Sequence, residues 1–173
     1  MATDWRKRWR VHLKSDPPIP DPWLKTLLQD DESRILHHKP PGIWITPTSG
    51  EWFDWCEDNM PAEYLDGKKV SAIEVDMSRV LRLSTTAEIL AFTEEHATFT
   101  DPRRLRQVVN WTAVMERYGG IEIAPYNWEL RLDQRTWWYY TWDVASGCIW
   151  DRSALRELQP RSSLLPSSDE SSG

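Results

Sequence analysis

Apolar residues recur along this chain with two different periods. Where they alternate with polar ones over Lys69–Leu83, the pattern predicts two strand segments, kinked near Ser78-Arg79. Shorter apolar runs predict strands at Arg34–His38, Ile43–Thr46, Ile121–Pro125 and Trp137–Trp142. A turn around Ser146-Gly147 followed by a last short strand is expected within Val144–Trp150. Spacings of three and four residues predict helices instead. One carries Trp52, Phe53, Trp55 and Cys56, with Thr48 or Ser49 as its cap. A second runs from Ala87 to His96 behind the capping signal Ser84-Thr85-Thr86-Ala87-Glu88. A third is expected over Arg103–Tyr118, with an interruption near Asn110, and Gly119-Gly120 ends it. A helical turn over Ala154–Leu158 closes the patterned region.

The ends differ from the middle. Residues 1–14 hold Arg6, Lys7, Arg8, Arg10 and Lys14 among Trp5 and Trp9, which predicts a short basic helix or a solvated arm. Four prolines between Pro17 and Pro22 then remove backbone donors and fix φ, so an extended linker follows, with a short helix over Trp23–Gln29. The Ser/Pro-rich tail lacks the apolar residues that a core needs. The expected division is therefore 1–33 as arm, linker and helix, 34–158 as one domain, and 159–173 as a disordered tail. Strands and helices in this order predict an α+β fold.

Twelve of the 173 residues are Trp. Each can bury about 150–250 Å² and needs a partner for its indole N–H, so these residues can close a small core or line a site for a flat ligand. The net charge of −6 argues against a protein that coats nucleic acid, the basic arm excepted. Charged residues at the N-terminus and the lack of any run approaching about 20 apolar residues predict a cytoplasmic or nuclear protein without stable membrane association, expected to be a monomer. Cys56 and Cys148 are the only cysteines, so at most one disulfide can form.

Much familiar chemistry is absent. The chain has no P-loop, no GxGxxG fingerprint, no zinc-type cysteine spacing and no hydrolase or kinase signature. His37 and His38 are adjacent, so on a strand they point to opposite faces and make a poor metal pair. Three segments place polar residues where a core element has no use for them: His37–Thr46, Tyr118–Ile123 and Trp138–Trp150. Glu122, between two isoleucines, either faces solvent by alternation or sits inside as a functional acid.

The order of these segments resembles small members of the ADP-ribosyltransferase superfamily. The resemblance runs through Lys39-Pro40-Pro41-Gly42-Ile43-Trp44-Ile45-Thr46, then Ile73–Leu81, the helix from Thr85 to Phe92, and Trp111–Tyr118 leading into Gly119-Gly120-Ile121-Glu122-Ile123. It implies a split, mixed β-sheet core with flanking helices and NAD as substrate. His38 or His37 would orient NAD, and Thr46, with Thr48 and Ser49 as rivals, would supply a hydroxyl. Trp44 and Trp52 would be the aromatic neighbours of nicotinamide. Glu122 would hold the ribose and stabilise an oxocarbenium-like transition state, the ADP-ribose passing to a protein or nucleic-acid acceptor. Gly120 stands where protein-arginine modifiers of the toxin type carry an acid or glutamine. The alternative on the same scaffold is an inactive, Trp-rich module that binds a peptide or nucleotide. A purely structural interaction domain follows if Glu122 faces solvent.

Overall fold

The computed structural model describes residues 10–14, 36–47, 51–61, 64, 69–103 and 106–160. Its strands are β1 (Arg10–Lys14), β2 (Leu36–His37), β3 (Ile43–Ile45), β4 (Lys69–Val75), β5 (Val80–Leu83), β6 (Ala97–Phe99), β7 (Gln107–Asn110), β8 (Gly120–Ile123), β9 (Ser146–Ile149) and β10 (Leu155–Pro160). The helices are α1 (Glu51–Asn59), α2 (Thr86–His96) and α3 (Trp111–Arg117). The chain is thus α+β, with a mixed sheet and a cluster of aromatic residues at its core.

Four strands in the order β3-β9-β8-β5 form the central sheet, in which β8 pairs antiparallel with β9 and parallel with β5. Two further sheets have the orders β1-β4-β10 and β2-β7-β6. Every residue of β8 and of β9 is buried. Side-chain alternation divides the apolar residues of the central sheet between two cores. Leu83, Ile121, Ile123 and Cys148 enter the larger one, with Trp44 and Leu81 packed against it. Ile43, Ile45, Val80 and Ile149 enter the smaller one with Ile73, Ala154 and Leu155.

Helix α2 starts where the sequence predicts. The Thr85 hydroxyl accepts from the Glu88 N–H at 3.2 Å, and the Glu88 carboxylate accepts from the Thr85 N–H at 2.9 Å. Its inner face brings Ile89, Phe92, Thr93 and His96 into the core. The single helix expected over Arg103–Tyr118 is instead strand β7 followed by α3. Val108 and Val109 suit a strand, and the Asn110 side chain caps α3 by accepting from the Ala113 N–H at 3.2 Å.

The strand expected at Trp137–Trp142 is a 3-10 segment, Gln134–Thr141, capped by Asp133. A strand would send alternate rings to opposite faces. The three-residue repeat instead leaves Trp137 and Tyr140 together at the outside, stacked with centroids 5.6 Å apart, and turns Trp138 and Tyr139 inward. The buried polar tips find partners. Trp138 Nε1 donates to Thr93 Oγ1 at 2.9 Å, and Tyr139 Oη accepts from the Asn127 N–H at 2.9 Å. Trp142 Nε1 donates to the His38 carbonyl at 3.4 Å.

Other expectations are also revised. Arg10–Lys14, expected to be helical, forms β1 and pairs with β4, so the sheet draws in part of the segment assigned to a separate arm. Ser146-Gly147 lies within β9 rather than in a turn. A Cβ at position 147 would come 2.9 Å from the Ile121 carbonyl oxygen and 3.0 Å from Ile45 Cγ1, so glycine serves close strand approach here. After a 3-10 turn at Arg152–Ala154, the helical turn expected to Leu158 is strand β10, which pairs with β4. Cys56 and Cys148 are both buried, and no disulfide joins them. Residues 1–9, the linker, the Trp23–Gln29 helix and the tail from 161 lie outside the described residues. Among the described residues no helix is long and apolar enough to cross a membrane.

Trp138 is fully buried and joins α2 to the 3-10 segment. Trp138→Ala is expected to destabilise the fold by about 3–5 kcal/mol. Thr93→Val, which strands the indole N–H, is expected to cost about 1–3 kcal/mol. Urea unfolding followed by circular dichroism checks both values.

Candidate functional site

Glu122 is 2% exposed, so it does not face solvent. In register it lies between Arg82 on β5 and Gly147 on β9, with Ile45 beyond Gly147 on β3. Arg82 Nε stands 3.6 Å from Glu122 Oε1, and the Arg82 side chain is itself 57% exposed. Because Ile121 and Ile123 enter the larger core, alternation turns Glu122 toward the face that holds the smaller one.

The other nominated residues lie elsewhere. Trp44 sits on the opposite face of the sheet from Ile45, with its ring centroid 5.0 Å from that of Trp142. Thr46 follows Trp44 by alternation and is buried, its hydroxyl donating to the Pro47 carbonyl at 3.2 Å. His37 belongs to another sheet, where it pairs with Val109. His38 lies just after it, and its carbonyl faces Trp142. Trp52, on α1, meets Phe53 edge-on at 5.9 Å. Thr48 and Ser49 lie outside the described residues. Trp44, Thr46 and the His38 carbonyl thus gather on the Trp142 side, and Glu122 does not join them. Among the described residues no group of three or more His, Cys, Asp or Glu could hold a metal ion.

A different set of polar groups does converge on that side. The Asp143 carboxylate lies between two cations, with Arg131 Nη2 at 3.3 Å and Lys39 Nζ at 3.9 Å. Each cation lies near aromatic rings. Lys39 Nζ is 5.3 Å from the Trp44 ring centre, and the Arg131 guanidinium carbon is 5.7 Å from Trp128 and 5.6 Å from Tyr140. Tyr126 meets Trp128 edge-on at 4.7 Å and stacks on Tyr139 at 5.0 Å. Trp128 and Tyr140 are 63% and 45% exposed, so this aromatic–ionic surface is open to solvent.

Stability gives little reason for such an arrangement. The Lys39–Asp143 pair is more than a third exposed on both sides, and pairs of that kind contribute about 0–1 kcal/mol. Two cations around one carboxylate leave one positive charge uncompensated, beside several aromatic faces. Burial pulls the Lys39 ammonium below its ordinary pKa, against the opposing pull of Asp143. The surface is suited to holding an anion that carries a flat ring.

Sequence reasoning missed this cluster because Lys39 and Asp143 both read as turn residues and Arg131 lies in a stretch without a motif. The available signals were the polar residues within His37–Thr46 and Trp138–Trp150, which hold Lys39 and Asp143, and the density of Tyr and Trp around Arg131. Comparison of the chain with family models, curated proteins and solved structures finds no match.

Burial pushes the Tyr126 phenol up to about 12, and raises Tyr139 further. The unfolded chain releases these protons near the ordinary value of 10.0 while the folded chain retains them. Their stabilising contribution is therefore complete below that pH and is lost as pH rises through the folded values. Thermal melts between neutral and strongly alkaline pH should show this decline. Tyr126→Phe should make it shallower.

Proposed function

We propose that the surface built from Lys39, Arg131 and Asp143 over Trp44, Trp128 and Tyr140 binds an anionic ligand with a flat ring, a nucleotide being the class that combines both. The observation behind this reading is the pair of cations sharing one carboxylate while lying near aromatic faces. Stacking on an aromatic ring is available to any base, and Arg and Lys supply donors for phosphoryl oxygens. NAD falls within this class, as does the nucleotide-binding module considered from the sequence. The reading suits a cytoplasmic or nuclear monomer.

ADP-ribosyl transfer to a protein or nucleic acid is the second reading. A buried carboxylate at Glu122, held beside Arg82, favours it, because oxocarbenium stabilisation needs a pre-placed negative charge. Its position on the other face of the sheet from Trp44 favours binding without transfer.

Titration calorimetry with ADP, ATP and NAD separates these readings when paired with an assay for released nicotinamide. Binding is expected, weakened about tenfold or more in Lys39→Ala and Arg131→Ala, with NAD left intact. Nicotinamide release by the wild type that Glu122→Gln abolishes would establish transfer instead. If none of the three nucleotides binds at millimolar concentration, the binding proposal fails.

A further inference from the structure

The aromatic residues around this surface differ in one respect. Trp138, Trp142 and Trp150 each donate their indole N–H, to Thr93, the His38 carbonyl and the Tyr118 carbonyl respectively. Tyr139 Oη accepts from the Asn127 N–H. Tyr126 is only 6% exposed, yet its buried hydroxyl has no hydrogen-bond partner among the described residues. Buried polar groups are nearly always satisfied, and an exception calls for a physical reason. Its ring meets Trp128 edge-on and stacks on Tyr139.

We propose that the Tyr126 hydroxyl is a donor kept for the ligand of the Lys39–Arg131 surface, and that the group it meets is a phosphoryl oxygen. This rests on the nucleotide reading above and narrows it. Arg131 stands over Trp128, the ring that Tyr126 meets edge-on, so the phenol and the guanidinium flank the same indole. Arg131 and Asp143 also act on the Tyr126 hydroxyl in opposite senses, which puts it within reach of their fields. The Asp143 carboxylate is already shared between Arg131 and Lys39, and the groups left over are N–H and O–H donors. A partner that only accepts hydrogen bonds and carries negative charge matches that set, and a phosphoryl group does so with several oxygens.

A ligand role and a structural role for this hydroxyl predict opposite effects of Tyr126→Phe. If the hydroxyl is held for ligand, removing it takes away an unsatisfied buried group, so the melting temperature of the free protein stays equal or rises. Affinity for ADP should fall about tenfold or more, as for the loss of a hydrogen bond to a charged group. The test measures Kd by calorimetry for ADP, inorganic phosphate and adenosine, on the full chain as wild type, Tyr126→Phe and Arg131→Ala, with thermal melts of each. Tyr126→Phe should weaken ADP and inorganic phosphate while leaving adenosine unchanged. Equal ADP affinity in wild type and Tyr126→Phe, with Arg131→Ala still weakened, overturns the role of Tyr126 and leaves the nucleotide reading standing. Wild-type binding of adenosine as tight as ADP overturns the phosphoryl assignment. Failure of the wild type to bind ADP overturns both. A clear fall in the melting temperature of Tyr126→Phe marks the hydroxyl as structural and overturns the inference.

Discussion

The antiparallel pairing of β8 with β9 is the constraint on which the rest depends. These two strands occupy the middle of the central sheet, and all of their residues are buried. A strand covered on both faces has no solvent side to receive a polar residue, and its neighbours approach closely. Gly147 meets the second demand, lacking the Cβ that would strike the Ile121 carbonyl oxygen and Ile45. Gly42 meets a similar one at the sheet edge, where φ is 156° and a Cβ would stand 2.6 Å from Cys148 Sγ. Glu122 is the exception to the first, and its carboxylate is tolerable there because Arg82 stands beside it with an exposed side chain.

From that pair the two faces of the sheet acquire different characters. One meets a small aliphatic core of Ile43, Ile45, Ile73, Val80 and Ile149. The other meets the larger aromatic core, in which Trp111, Trp138 and Trp142 pack among Phe92 and Tyr139. Rings of this size bury much area but carry polar tips, so the larger core also requires a set of acceptors and donors placed to match them. Thr93, Asn127 and the carbonyls of His38 and Tyr118 meet that requirement for Trp138, Tyr139, Trp142 and Trp150. The same packing orders the 3-10 segment and the turn before it, and so fixes the positions of Arg131 and Asp143 at the edge of the aromatic core. The candidate binding surface is thus the rim of this core, where the rings emerge into solvent.

A site of this kind sits on rigid support although its polar groups are half exposed. Lys39 lies in the turn that leads into β3, and Asp143 follows Trp142, which packs on Trp44 of that strand. The two charges are consequently held by adjacent aromatic rings rather than by their own attraction, which is weak in solvent.

Local pattern in the sequence was enough to determine several elements: the capping signal at Thr85 and Glu88, the apolar alternation of β4 and β5, and the short runs of β3 and β8. It also determined the α+β class. These features depend on near neighbours, whose spacing is visible in the chain. The sequence did not decide the conformation of Gln134–Thr141, because a run of aromatic residues has no readable period and its conformation is selected by partners elsewhere in the chain, Gln107, Thr93 and Asn127 among them. Nor did it decide the face of Glu122, since a carboxylate between two isoleucines fits the solvent face of a strand by alternation and is also compatible with a covered strand. Strand β9 beside it and Arg82 on the parallel strand settle that question. The meeting of Lys39, Arg131 and Asp143 lay furthest from view, as it joins residues up to 104 positions apart through the packing of Trp44 on Trp142. Only tertiary structure sets such a contact, because its energy comes from rings that are distant in the chain and adjacent in the core.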